Sequence, residues 1–98
     1  MSKIKICTDI ITGRKHYYFY CPACQMNHSC NESWQFNNDI NKPTFSPSLR
    51  VSWPLRGPKE AICHSFIKDG VIQYLGDCTH DKKNQFMEIP EWEDVYGD

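Results

Sequence analysis

Lys15-His16-Tyr17-Tyr18-Phe19-Tyr20 runs without a break into Cys21-Pro22-Ala23-Cys24. The first six residues are aromatic-rich and β-prone, so they read as a strand. The four that follow set two thiols at CxxC spacing on the strand's end. Both sulfurs can then reach one ion while the turn between them offers backbone N–H groups, and a proline after the first cysteine suits a tight turn. A strand that empties into such a turn predicts a small antiparallel β-sheet domain with a zinc-knuckle turn. The CPAC turn would supply half of the metal site. Structural zinc takes about four ligands, so two more must come from elsewhere in the chain.

They are sought around Lys68-Asp69-Gly70. Asp-Gly between two apolar, β-branched runs, residues 61–67 and 71–75, is the strongest hairpin signal present. Pairing outward from the turn sets Lys68 opposite Val71 and Cys63 opposite Gly76. Cys63 therefore meets the segment Cys78-Thr79-His80 at the open end of the hairpin. Neighbours on a strand point to opposite faces, so Cys63 and His64 should not share one ion. The expected ligands are Cys21, Cys24, Cys63 and His80, with His64 or Cys78 as replacements for one of the last two. His28, four residues after Cys24, is open between ligand, supporting partner and surface residue. Cys7 and Cys30 read as small apolar residues of the interior.

Elsewhere the chain gives short elements only. Lys3 to Cys7 alternates and pairs with 15–20 as a hairpin across Thr12-Gly13. Residues 25–33 read as a polar stretch, and 34–36 as a short strand. Residues 42–48 hold two prolines and are excluded from a central strand or a helix. Leu49 to Trp53 alternates, 54–59 reads as a loop and the most mobile part, and 85–89 as a last strand. No segment shows a helical period over ten residues, so any helix is short. The whole chain, 1–98, reads as a single zinc-binding β domain with 93–98 as a flexible tail.

Composition sets the outer limits. The 98 residues fit one domain, and at that size the core is thin. Only three leucines are present (Leu49, Leu55, Leu75), so aromatic residues, 13% of the chain, must fill much of it. The net charge of −1 lacks the basic excess of strong nucleic-acid binders. No apolar run approaches the ~18–20 residues that span a bilayer. The N-terminus shows no apolar signal-peptide core, so a cytoplasmic protein is expected. In a reducing compartment clustered Cys and His residues favour metal over disulfides.

Several motifs occur together: Cys21-Pro22-Ala23-Cys24-x3-His28, Trp34, Pro43-Thr44-Phe45-Ser46-Pro47-Ser48, Cys63-His64-Ser65-Phe66-x3-Gly70 and Asp77-Cys78-Thr79-His80. In combination they resemble a family of small proteins of unknown function from tailed bacteriophages and prophages, over about residues 16 to 92. Members are sometimes labelled ammonia monooxygenase, a label that no residue here supports. The resemblance implies that Cys21, Cys24, His28, Cys63, His64 and His80 occupy motif positions. One departure is Gln25, where or near where the family has glycine.

Six motif Cys/His residues exceed the four of a structural zinc site. The surplus His28, His64 and Asp77, with Thr44 and Ser46, could line a pocket beside the metal, or act as donors that orient the ligands. Neither the zinc deaminase signature nor HExxH is present, and no catalytic residue is assigned. The leading expectation is a phage-like, zinc-stabilised module in the host cytoplasm that binds a host protein, for example inhibiting an enzyme or a defence system. Trp53, Trp92 and Tyr96 are its candidate anchors. The alternative is a metal-dependent hydrolase built on His28, His64 and Asp77.

Overall fold

The computed structural model describes residues 2–54 and 60–97. The fold is mainly β, as expected: two antiparallel sheets and one helical turn. The first sheet has the order β1 (Lys5–Thr8), β2 (Lys15–Cys21), β3 (Met26–Asn31). The second has the order β4 (Gln35–Phe36), β5 (Phe45–Pro54), β6 (Glu60–Lys68), β7 (Val71–Tyr74), β8 (Phe86–Glu88). A short helix, α1 (Trp92–Tyr96), ends the chain.

The inner faces of the two sheets close on one core. Tyr17 and Phe19 of β2 meet Phe45, Leu49, Ile67, Ile72 and Tyr74 of the second sheet. Tyr17, Phe36 and Phe45 stack with ring centroids 4.7–5.7 Å apart. Phe19, Ile72 and Ile89 are fully buried, and each contributes about 1.5–3 kcal/mol by leaving water. The Asp-Gly hairpin forms in the expected register, with Lys68 opposite Val71. Its two central residues, Asp69 and Gly70, have φ of 51° and 81°, the positive pair that matches the twist of the flanking strands.

Three expectations change. Residues 26–31 of the polar stretch form β3. Its inward positions are held by His28 and Cys30, both buried, so the strand lacks the aliphatic alternation by which strands are read. The Pro-rich segment 42–48 enters a strand at Phe45. It does so through an irregularity: Phe45 pairs with Ile67 and Leu49 with Ser65, so β5 carries extra residues around Pro47 and no ladder bond is asked of the proline. Residues 93–96 of the expected tail lie in α1, where the Tyr96 hydroxyl donates to Asn27 Oδ1 at 2.7 Å. Tyr96 also packs on Tyr20 and Trp92 and stays 52% exposed. Of the loop expected at 54–59, Pro54 ends β5 and 55–59 lie outside the described residues. Among the described residues no helix is long and apolar enough to cross a membrane.

Candidate active site and metal centre

β6 carries two chemistries on its two faces. Ala61, Cys63, Ser65 and Ile67 point into the core, while Ile62, His64, Phe66 and Lys68 point outward. Adjacent residues, Cys63 and His64, thereby serve separate sites.

On the inner face, Cys63 meets Cys21 and Cys24 of the CPAC turn and His28 of β3. Their ligand atoms all lie within 4.8 Å of one another. The register explains why His28 is there. Phe19 pairs with His28 and Cys21 with Met26, so the CPAC turn joins β2 to β3 and His28 returns beneath it. The turn closes with a bond from Gln25 N–H to the Cys21 carbonyl, 2.8 Å. Gln25 has φ of 56°. This is the left-handed conformation that favours glycine.

These four side chains fit a metal ion of the zinc kind. The Cys21 and Cys63 sulfurs are 4.0 Å apart, close to the roughly 3.8 Å edge of a tetrahedron with 2.3 Å metal–sulfur bonds. His28 Nε2 is buried without a hydrogen-bond partner among the described residues, a costly arrangement unless a cation satisfies it. The thiols themselves are in conflict. The hydrogen bond from Cys63 brings the Cys21 thiol down to about 3, helped by His28, the Tyr74 hydroxyl and the Cys24 N–H. Burial, reinforced by the Cys21 charge, pushes Cys24 up to about 12. The bond that Cys63 gives to Cys21 pushes Cys63 far up. Cys21 thus gives up its proton first, while Cys24 and Cys63 keep theirs unless a cation replaces them.

His80, an expected ligand, is not in this group. It forms a second, three-membered grouping with Cys63 and Cys78. Tyr74 separates it from Cys21. The His80 ring packs edge-on against the Tyr74 ring with centroids 4.7 Å apart, and the Tyr74 hydroxyl reaches Cys21 Sγ at 3.1 Å. Cys78 is already engaged, since its sulfur accepts from the His64 N–H and donates to the His64 carbonyl, both 3.2 Å. Cys30 is buried and Cys7 is exposed, on the edge strand β1, in place of the interior position expected for it.

On the outer face, His64 lies between a hydroxyl and a carboxylate. Its Nε2 is 3.0 Å from Ser48 Oγ, and its Nδ1 is 3.0 and 3.1 Å from the two oxygens of Asp77. A carboxylate at Nδ1 can only accept, so in the neutral imidazole Nδ1 carries the proton and Nε2 accepts from the serine. The side chains of His64 and Asp77 are 25% and 49% exposed, so the group opens to solvent. The irregularity in β5 brings Ser48 across to His64, and the Cys78 clasp on the His64 backbone sets Asp77, its neighbour, against the ring. The pocket expected from His28, His64 and Asp77 does not assemble. His28 belongs to the inner cluster, whereas His64 and Asp77 join Ser48 on the other side of the sheet.

Ser48 is the member of this group that sequence reasoning missed. No G-x-S-x-G elbow announces it. The signal available was that Ser48, His64 and Asp77 each fall within a motif of the resembling family.

A family model described as "Bacterial ubiquitination-like system serine protease (BubE)" matches residues 2–75. That span holds Ser48, His64 and all four inner-cluster residues, and it stops just before Asp77. No curated protein and no solved structure matches the chain. On a match covering most of its length, the chain belongs to the BubE family.

Proposed function

We propose that this protein is a serine peptidase in which Ser48 is the nucleophile, His64 the general base and Asp77 the group that orients and stabilises His64. The observation that carries this is the unbroken chain Ser48 Oγ–His64 Nε2, His64 Nδ1–Asp77, with every link between 3.0 and 3.1 Å. These are the roles and distances by which such triads are recognised, whatever their order in sequence. The family's printed description supports the same reading. That description also supports a role for the peptidase in a bacterial ubiquitination-like system.

The reaction follows from the geometry. Ser48 Oγ attacks the scissile carbonyl as its proton passes to His64 Nε2. The imidazolium, stabilised by Asp77, returns that proton to the leaving amine as the C–N bond breaks. An acyl group then remains on Ser48. Water adds to it through the same base, the ester bond breaks, and the proton goes back to Ser48.

The inner cluster is proposed to hold Zn2+ through Cys21, Cys24, His28 and Cys63, as a cross-link of the two sheets beneath the triad. His64 and Asp77 face away from it, which favours a structural metal over a metal-bound nucleophile.

A fluorophosphonate should label Ser48, as read by peptide mapping; a wild-type protein that takes no label at Ser48 sinks the triad. Asp77→Asn should slow peptide hydrolysis by about 10⁴-fold with the fold intact, because the amide favours the wrong imidazole tautomer. A rate within tenfold of wild type would remove Asp77 from the mechanism. His28→Ala should lower zinc content measured by mass spectrometry of the native protein, and His80→Ala should not. The reverse result would move the fourth ligand to His80.

A further inference from the structure

β5 has a long free side. Its neighbours are β4 and β6, and β4 pairs with it only at Phe45 and Ser46. Beyond Ser46, no strand among the described residues lies on the side away from β6.

The hydrogen-bonding phase of that free side can be read from β6. In an antiparallel pair the N–H and C=O of one residue turn toward the same neighbour. The His64 N–H points at Cys78 Sγ (3.2 Å), and its carbonyl accepts from the Leu75 N–H (2.9 Å). The Ile62 N–H donates to Thr79 Oγ1 and its carbonyl accepts from the Thr79 N–H, each at 3.0 Å. Both residues turn away from β5. Arg50 and Ser52, directly opposite them, therefore turn their own N–H and C=O groups to the free side. Pro54, opposite Glu60, falls in the same phase. That is the phase in which β5 tolerates a residue without an N–H.

This row of main-chain donors and acceptors begins two residues after Ser48, on the strand that carries it. We propose that the free side of β5 binds the substrate as an added antiparallel strand, so that the enzyme acts on extended polypeptide segments. The inference rests on the assignment of Ser48 as nucleophile. An added strand lies about 4.8 Å from its neighbour, which brings its carbonyls within reach of a serine side chain. β4, in the same column, runs antiparallel to β5. A substrate running likewise sets the residues before the cleaved bond along Arg50 and Ser52, and those after it toward β4. There a cavity of about 490 Å³ lined by Gln35, Phe36, Asn37, Thr44 and Ser46 receives them. Main-chain bonding of this kind recognises extended shape first and side chains second.

The test uses two peptidyl phosphonates that differ only by an N-methyl group on the amide facing Arg50, with a small fluorophosphonate as reference. On the wild-type protein the N-methylated probe should label Ser48 at least about tenfold more slowly, because it loses a strand bond and blocks close approach. A second measurement is the rate with the unmethylated peptidyl probe divided by that with the fluorophosphonate. This ratio should fall about tenfold or more in Arg50→Pro, which deletes the outward N–H. Equal labelling by the two peptidyl probes while the fluorophosphonate labels Ser48 would overturn strand addition and leave the triad standing. Failure of the fluorophosphonate itself on the wild-type protein would overturn both.

Discussion

Ser48→Ala should abolish peptide hydrolysis, with a loss on the order of 10⁶-fold in kcat. The size of the loss follows from what the hydroxyl does. In the proposed mechanism it is the atom that forms the acyl bond, and it stands 3.0 Å from His64 Nε2. The structural cost should be small. Ser48 is only half-buried, and its Oγ makes a single side-chain hydrogen bond among the described residues. Losing it should change stability by about 1 kcal/mol. Single-turnover rates and a thermal melt therefore separate chemistry from folding. Triad members act as a unit, so the double variant Ser48→Ala/His64→Ala should be no slower than either single one. A multiplied loss in the double variant, or residual activity above a hundredth in Ser48→Ala, would place the nucleophile elsewhere.

Much of this was legible in the sequence. The aromatic strand, its CxxC turn and the Asp-Gly hairpin all announced themselves through local chemistry that needs no tertiary context. So did the separation of Cys63 from His64, which period-2 geometry requires. What stayed hidden depended on long-range placement. β3 escaped because a histidine and a cysteine fill its buried positions, and with it went the return of His28 beneath the CPAC turn. Hairpin register brings His80 toward Cys63, and register carries no information about the Tyr74 ring that packs against it. Ser48 escaped for a different reason. Its strand was discounted because of its prolines, yet the irregularity that accommodates Pro47 is what delivers the serine to His64. Irregular strands gather at active sites because they re-aim single side chains.

Removal of the metal is expected to unfold the domain. A structural zinc site contributes about 10–16 kcal/mol to a small fold, as much as or more than the 5–15 kcal/mol by which a typical domain is stable at all. Here the cluster joins β2 and β3 of one sheet to β6 of the other, and the core between those sheets is thin. Chelation should therefore collapse the far-ultraviolet circular dichroism signal of the sheets. Cys21→Ser should reproduce that state, since it deletes the most acidic thiol of the group. Cys7→Ser, at an exposed position on β1, should stay within about 0.5 kcal/mol of wild type. Equal damage from the two substitutions would show that the cysteines are wrongly assigned. Timing tests the role of the metal in the reaction. Cys63 and His64 are consecutive on β6, so a structural metal predicts that hydrolysis and circular dichroism are lost at one rate during chelation. If hydrolysis disappears while the sheets persist, the metal belongs to the chemistry. If both persist after complete metal removal, the two sheets hold the triad in place by their apolar core alone.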